Sequence, residues 1–111
     1  MQVRKNIAGT WEYEQYSGYP FTNTFLPPGN GNIIIIGENG NFERRKQDTV
    51  IFKATYSLQK KQDCYSSGNE VLFTTSENST GSYIKIENGK LSFSTPACYA
   101  DGGTTFYLKI R

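Results

Sequence analysis

NIIIIGENGNFERRKQDTVIFKATYSL, residues 32–58, decides the fold. Asn39-Gly40 stands between an apolar run, Ile33 to Ile36, and a mixed run, Asn41 to Gln47. Asn and Gly both tolerate positive φ, so the pair predicts a type I′ turn between antiparallel strands. Asp48 marks a second tight turn. Beyond it the chain alternates, with Phe52, Ala54, Tyr56 and Leu58 set against Lys53, Thr55 and Ser57. A period of two is the mark of a strand with one covered face. The four Ile in a row predict a strand covered on both faces.

The same pattern extends in both directions. Strands are predicted over Gly9 to Tyr16, Asn32 to Gly37, Asn41 to Gln47 and Val50 to Leu58. Four more follow over Glu70 to Thr75, Ser82 to Glu87, Leu91 to Thr95 and Thr104 to Ile110. Asn88-Gly89 predicts another type I′ hairpin. In the first strand, Trp11, Tyr13 and Gln15 share one face, and Glu12, Glu14 and Tyr16 the other. Ser17 to Gly31 carries Pro20, Pro27 and Pro28 and is predicted as a loop, because Pro cannot donate to a ladder. Lys60 to Asp63 is polar and holds the next connection or a strand end. No segment shows a helical period beyond a turn or so. Eight strands on short turns predict nearest-neighbour pairing. Closing that meander into an up-and-down β-barrel removes the exposed edges. A two-sheet sandwich needs a long crossover, which only Ser17 to Gly31 offers.

Composition agrees with a single all-β domain over residues 1–111. Apolar residues make up only 36% of the chain, but eight Tyr, seven Phe and one Trp compensate with large areas suited to pleated strands. A net charge of +2 with interspersed signs gives no electrostatic footprint for nucleic acid. The dense basic run, Arg44-Arg45-Lys46, alternates across both faces of its strand. The chain has no His, which removes the commonest general base and the commonest metal ligand. Cys64 and Cys98 cannot close a zinc site and form no Cys-x-x-Cys motif. They are expected to form a structural disulfide worth about 4 kcal/mol, the alternative being two buried thiols. A disulfide implies an oxidising compartment. No apolar run approaches the ~20 residues of a membrane span. The polar opening after Met1 fits a mature segment after signal removal.

The candidate site residues are inward aromatics and one cation. If Phe42 faces the interior, Arg44 does too. A guanidinium there can bind a carboxylate bidentately, or it pairs internally, or it sits at a wet rim. Trp11, Tyr13, Phe42, Phe52, Tyr56, Phe73 and Phe93 are expected to line the ligand pocket around Arg44; plain core is the competing reading. Tyr19, Phe21, Phe25 and Leu26 form an apolar loop expected to act as a lid or a partner-binding segment. Glu12 and Glu14 share a face that reads as solvent-exposed rather than as a glycosidase pair. No nucleophile elbow, phosphate loop or dinucleotide fingerprint occurs, so no catalytic residue, cofactor or metal is assigned.

Gly9-Thr10-Trp11 is followed by Glu38-Asn39-Gly40-Asn41-Phe42, Asp48-Thr49, Ala54-Thr55-Tyr56-Ser57-Leu58 and Phe106-Tyr107-Leu108-Lys109. In order and spacing this resembles the small lipocalin-like, calycin-type domains of secreted lipoproteins of Bacteroidetes-type bacteria. The resemblance implies an eight-stranded barrel, here without a C-terminal helix, tethered by lipid on an upstream Cys. It implies that Trp11 closes one barrel end beneath a cation, Lys109 or Arg111. It also turns Tyr107 and Lys109 inward, whereas simple alternation turns Phe106, Leu108 and Ile110 inward. The expected function is a non-enzymatic, monomeric, secreted or cell-envelope barrel that binds a small apolar or amphiphilic molecule. The alternative is a protease-inhibitor-like interaction module with a filled barrel.

Overall fold

Strand β1 (Gly9–Gly18) is the seam of the molecule, because three other strands pair with it. The computed structural model describes residues 3–18, 22–60, 70–95 and 103–110. Along one edge of β1, residues 9–12 pair with β3 (Asn32–Ile36) and residues 15–18 pair with β2 (Thr22–Phe25). Along the other edge runs β9 (Gly103–Lys109), from Trp11 to Gly18. Between these ends the chain passes through β4 (Asn41–Lys46), β5 (Thr49–Lys60), β6 (Val71–Thr75), β7 (Asn78–Glu87) and β8 (Lys90–Ser94). Every consecutive pair from β3 onward is antiparallel. The circuit returns from β9 to β1 and closes an eight-stranded antiparallel barrel. β2 is an added strand on the seam, outside the cylinder.

Four features depart from the sequence reading. First, a short helix, α1 (Val3–Ile7), precedes the barrel. Ile7 is buried, and its carbonyl accepts the Trp11 indole N–H at 2.8 Å. Helix and Trp11 together stopper the lower end. A helix of little more than one turn leaves no readable 3.6 period. Second, the expected loop from Ser17 to Gly31 contains the end of β1 and all of β2; its prolines Pro27 and Pro28 follow the strand rather than interrupt it.

Third, the β1–β9 register shifts between Tyr13 and Gln15, so Glu14 is the extra residue of a bulge. Residues directly opposite in an antiparallel pair share a face. Tyr16 opposes Thr105 and so turns to the interior, while Gln15 opposes Phe106 and turns out. In β9 it is Tyr107 that faces the interior; Lys109 lies opposite Trp11, its Nζ 5.7 Å from the indole centroid. This is the cation contact the resemblance implied, worth ~0.5–2 kcal/mol.

Fourth, Asn39-Gly40 is not a two-residue I′ turn. Gly40 N–H donates to the Gly37 carbonyl and Gly37 N–H to the Asn41 carbonyl, which makes a three-residue loop with Gly40 alone at positive φ. Asn39 keeps negative φ, and its side-chain oxygen accepts from Asn41 N–H. At Asn88-Gly89 both residues have positive φ, as a I′ turn requires. The second such turn lies at Gln47-Asp48.

The lower half of the barrel is packed solid. Trp11 (2% exposed), Ile36, Tyr56, Val71, Ile84 and Leu91 meet there over Ile7. Tyr56 stacks on Phe73 at 5.2 Å, and its hydroxyl donates to the Gly37 carbonyl at 2.6 Å. Each fully buried aliphatic or aromatic side chain contributes roughly 1.5–3 kcal/mol.

Outside the cylinder, Glu12 is buried rather than solvated as expected. Its carboxylate accepts from Gly29 N–H at 2.7 Å and Gly31 N–H at 3.4 Å. Both glycines have positive φ, and that backbone curl aims two N–H groups at one anion. Asn30 between them donates to the Tyr13 carbonyl, and Gln47 of the β4–β5 turn donates to the Asn30 carbonyl. One carboxylate thus fixes the segment that leads from β2 into β3 and, through Gln47, the β4–β5 hairpin. Glu12→Ala leaves two inward N–H groups without their acceptor. It is expected to lower stability by about 1–3 kcal/mol, read as a lower urea midpoint. Glu12→Gln keeps one acceptor oxygen and loses less.

Candidate functional site

Above Trp11 and Tyr56 the barrel is open. A cup of about 390 Å³ occupies the upper half of the interior. Its wall is a chain of aromatic rings in edge-on contact. Phe52 meets Phe42 at 6.2 Å, Phe42 meets Phe73 at 5.5 Å, and Phe73 meets Phe93 at 5.2 Å. Phe93 then meets Tyr107 at 5.7 Å, and Tyr107 meets Tyr13 at 6.1 Å. The rings come from β5, β4, β6, β8, β9 and β1, one from each strand, because period-two alternation points every one of them inward. Each contact adds about 0.5–1.5 kcal/mol beyond area burial, so the wall is stiff. Thr75, Ser82 and Thr105 add hydroxyls near the rim, and Glu77 of the β6–β7 turn stands on it.

Arg44 lies at the mouth of this cup. It shares the inward face with Phe42, but its position near the top of β4 leaves it exposed to water. The desolvation cost of an interior guanidinium is thereby avoided. Its Cζ stands 5.8 Å from the centroid of the Phe52 ring. No carboxylate pairs with it among the described residues. Its neighbour Arg45, by contrast, is ion-paired with Glu43.

A second cavity of about 400 Å³ adjoins the first, sharing Ile34, Arg44, Thr105 and Tyr107 as a common wall. Its origin lies in the seam. β1 pairs with β3 only through residue 12 and then turns to β2, which leaves a lateral opening toward the β4–β5 tip. Tyr13, Leu26, Ile33, Arg45 and Ile51 border that opening.

Tyr107 sits where the two cavities meet. Burial pushes its phenol above the ordinary value of 10.0; the Arg44 charge pulls it back and Tyr13 pushes it up further. The net direction is upward, so at neutral pH Tyr107 is an O–H donor beside a guanidinium. The arrangement can hold an anionic group by charge and hydrogen bonding while the rings cover an apolar body. No cluster of three His, Cys, Asp or Glu side chains suited to a metal ion occurs among the described residues.

Of the residues singled out from sequence, Phe42, Arg44, Phe52, Phe73 and Phe93 line the cup, and Tyr13 lines the second cavity. Trp11 and Tyr56 do not line either one; they belong to the packed lower half. Leu26 borders the lateral opening, and Phe25 beside it is 65% exposed. Tyr19, Phe21, Cys64 and Cys98 lie outside the described residues. Ile34, Ser82, Thr105 and Tyr107 were not foreseen. The pairing of a β9 cation with Trp11 was the signal that could have found Tyr107, since Lys109 and Tyr107 share a face.

The fold and the site thus define a closed eight-stranded β-barrel with a solid base and an aromatic cup. No family model, curated protein or solved structure matches the chain.

The Tyr107 phenol provides a pH signature. Below about pH 10 the folded and unfolded chains both keep this proton, and its contribution to stability is complete. Above that, the unfolded phenol ionises first, so stability falls until the folded pKa is passed. In an alkaline absorbance titration a late-ionising phase is expected, and Tyr107→Phe removes it.

Proposed function

We propose that the barrel is a non-enzymatic binding domain for a small amphiphile, whose apolar body fills the aromatic cup and whose anionic group meets Arg44. The observation that carries this reading is a guanidinium without a carboxylate partner among the described residues, set over a wall of aromatic rings. Pockets of this kind, mostly apolar with few convergent polar groups, are the usual form of a small-molecule site. Tyr107 supplies a neutral donor next to the charge. A cavity of about 390 Å³ that the barrel's own side chains leave unfilled favours this over an inhibitor-like module with a filled barrel. A secreted or envelope carrier, tethered through an upstream lipid, is the setting that the lipocalin-like resemblance suggests.

Dansylundecanoic acid, a fluorescent carboxylate on an apolar chain, tests the reading. It is expected to bind with enhanced emission, and its methyl ester more weakly. A hydrogen bond to a charged group is worth about 1.5–3 kcal/mol, so Arg44→Gln is expected to weaken the acid by roughly 10- to 100-fold. The ester should change little. Equal affinity of the acid for wild type and Arg44→Gln would remove Arg44 from the site. Failure of both probes to bind the wild type would remove the cup reading itself.

A further inference from the structure

The rim of the lateral opening carries a different signal from the cup. Six large apolar side chains are exposed among the described residues: Phe25, Leu26, Val50, Ile51, Ile86 and Ile110. Two of them border the lateral opening, and a chain neighbour of each is exposed beside it; Phe25 lies on the outer face of β1. Leu26 and Ile51 face each other across the opening, Val50 precedes Ile51 and pairs in register with Arg45, and Phe25 precedes Leu26. The β4–β5 tip that carries Val50 and Ile51 also carries Arg44, Arg45 and Lys46, three cations against the one carboxylate of the turn, Asp48. Arg44 and Lys46 have no carboxylate partner among the described residues. Exposed apolar side chains that project beside unpaired cations mark a surface built to leave water.

We propose that this rim docks on a bilayer surface with anionic headgroups. Val50, Ile51, Phe25 and Leu26 enter the boundary between headgroups and acyl chains, and Arg44 and Lys46 meet the headgroup charge. Charge complementarity selects this occupant. A second copy of the chain docked rim to rim about a two-fold axis brings the two sets of Arg44, Arg45 and Lys46 together, like charge against like. Arg44 is shared with the proposed ligand site, so Lys46, which borders neither cavity, carries the test of this surface.

Co-sedimentation with vesicles decides it. The protein is expected to bind vesicles of phosphatidylglycerol and phosphatidylcholine in equal parts, and to bind phosphatidylcholine alone far more weakly. Raising salt from about 0.1 M to 1 M shortens the screening length from roughly 10 to 3 Å and should release most of it. Lys46→Gln is expected to weaken vesicle binding about fivefold, the equivalent of ~1 kcal/mol for one cation near an anionic surface. Leu26→Ser with Ile51→Ser should weaken it at least as much. Ile86→Ser, an exposed isoleucine outside this patch, should leave it unchanged. Circular dichroism of each variant verifies that the barrel is intact. Binding that is absent, equal on neutral and anionic vesicles, or unaffected by the Leu26/Ile51 double change would overturn the proposal. So would a dimer in gel filtration that the same double change dissolves.

Discussion

The hydrogen-bond ladder between β1 and β9 turns a curved sheet into a cylinder, and the rest of the molecule depends on it. Its register sets which side chains of both strands face inward, and the extra residue at Glu14 resets that register halfway up. Below the bulge, Trp11 lies opposite Lys109 and plugs the base. Above it, Tyr16 opposes Thr105, and Tyr16 closes over the paired glycines Gly18 and Gly103, where a Cβ would collide with its ring. The bulged Glu14 points its carboxylate outward to Lys90 at 2.7 Å, so the irregularity is held by an ion pair outside the cylinder whose carboxylate oxygen is shielded from water.

Closure also explains the lateral opening. A strand has only two edges, and β1 gives the whole upper part of one to β9. The other edge is divided between β3 below and β2 above. Because β2 does not continue into β4, the wall parts at the division. The segment between β2 and β3 bridges the gap, held there by the Glu12 carboxylate and by Gln47. Residues 12 to 15 of one strand therefore settle the edge pairing, the bulge, the position of the opening and the anchoring of the segment beside it.

Local signals in the sequence carried the architecture. The alternation from Phe52 to Leu58, the Asn88-Gly89 turn and the Trp11 motif are short-range, and each corresponds to a strand, a turn or a plug where expected. Long-range effects were not legible. Glu14 has nothing of the glycine that often marks a bulge, and only pairing with a strand ninety residues away reveals it. The inward turn of Tyr107, which the lipocalin-like resemblance implied and simple alternation denied, follows from that pairing. The burial of Glu12 depends on two glycines brought from another segment. The split between a solid base and an empty cup is a sum of side-chain volumes around eight strands, and no window of sequence contains it. Arg44 was legible as inward from its parity with Phe42, and the wet rim was one of the positions open to it; the choice among them was not legible, because that depends on how far β4 rises above its neighbours.

The division of the interior into two storeys separates two duties that most small cores must combine. Trp11, Ile36 and Leu91 pack the base, while Phe52, Thr105 and their neighbours shape the cup above it. Substitutions at the polar rim, at Ser82 or Thr105, reshape the cup without opening a void in packed matter, whereas Phe42 and Phe73 belong to the core cluster and their truncation does open one. The rim can therefore vary by small steps at little cost in folding free energy, while the rings beneath it cannot.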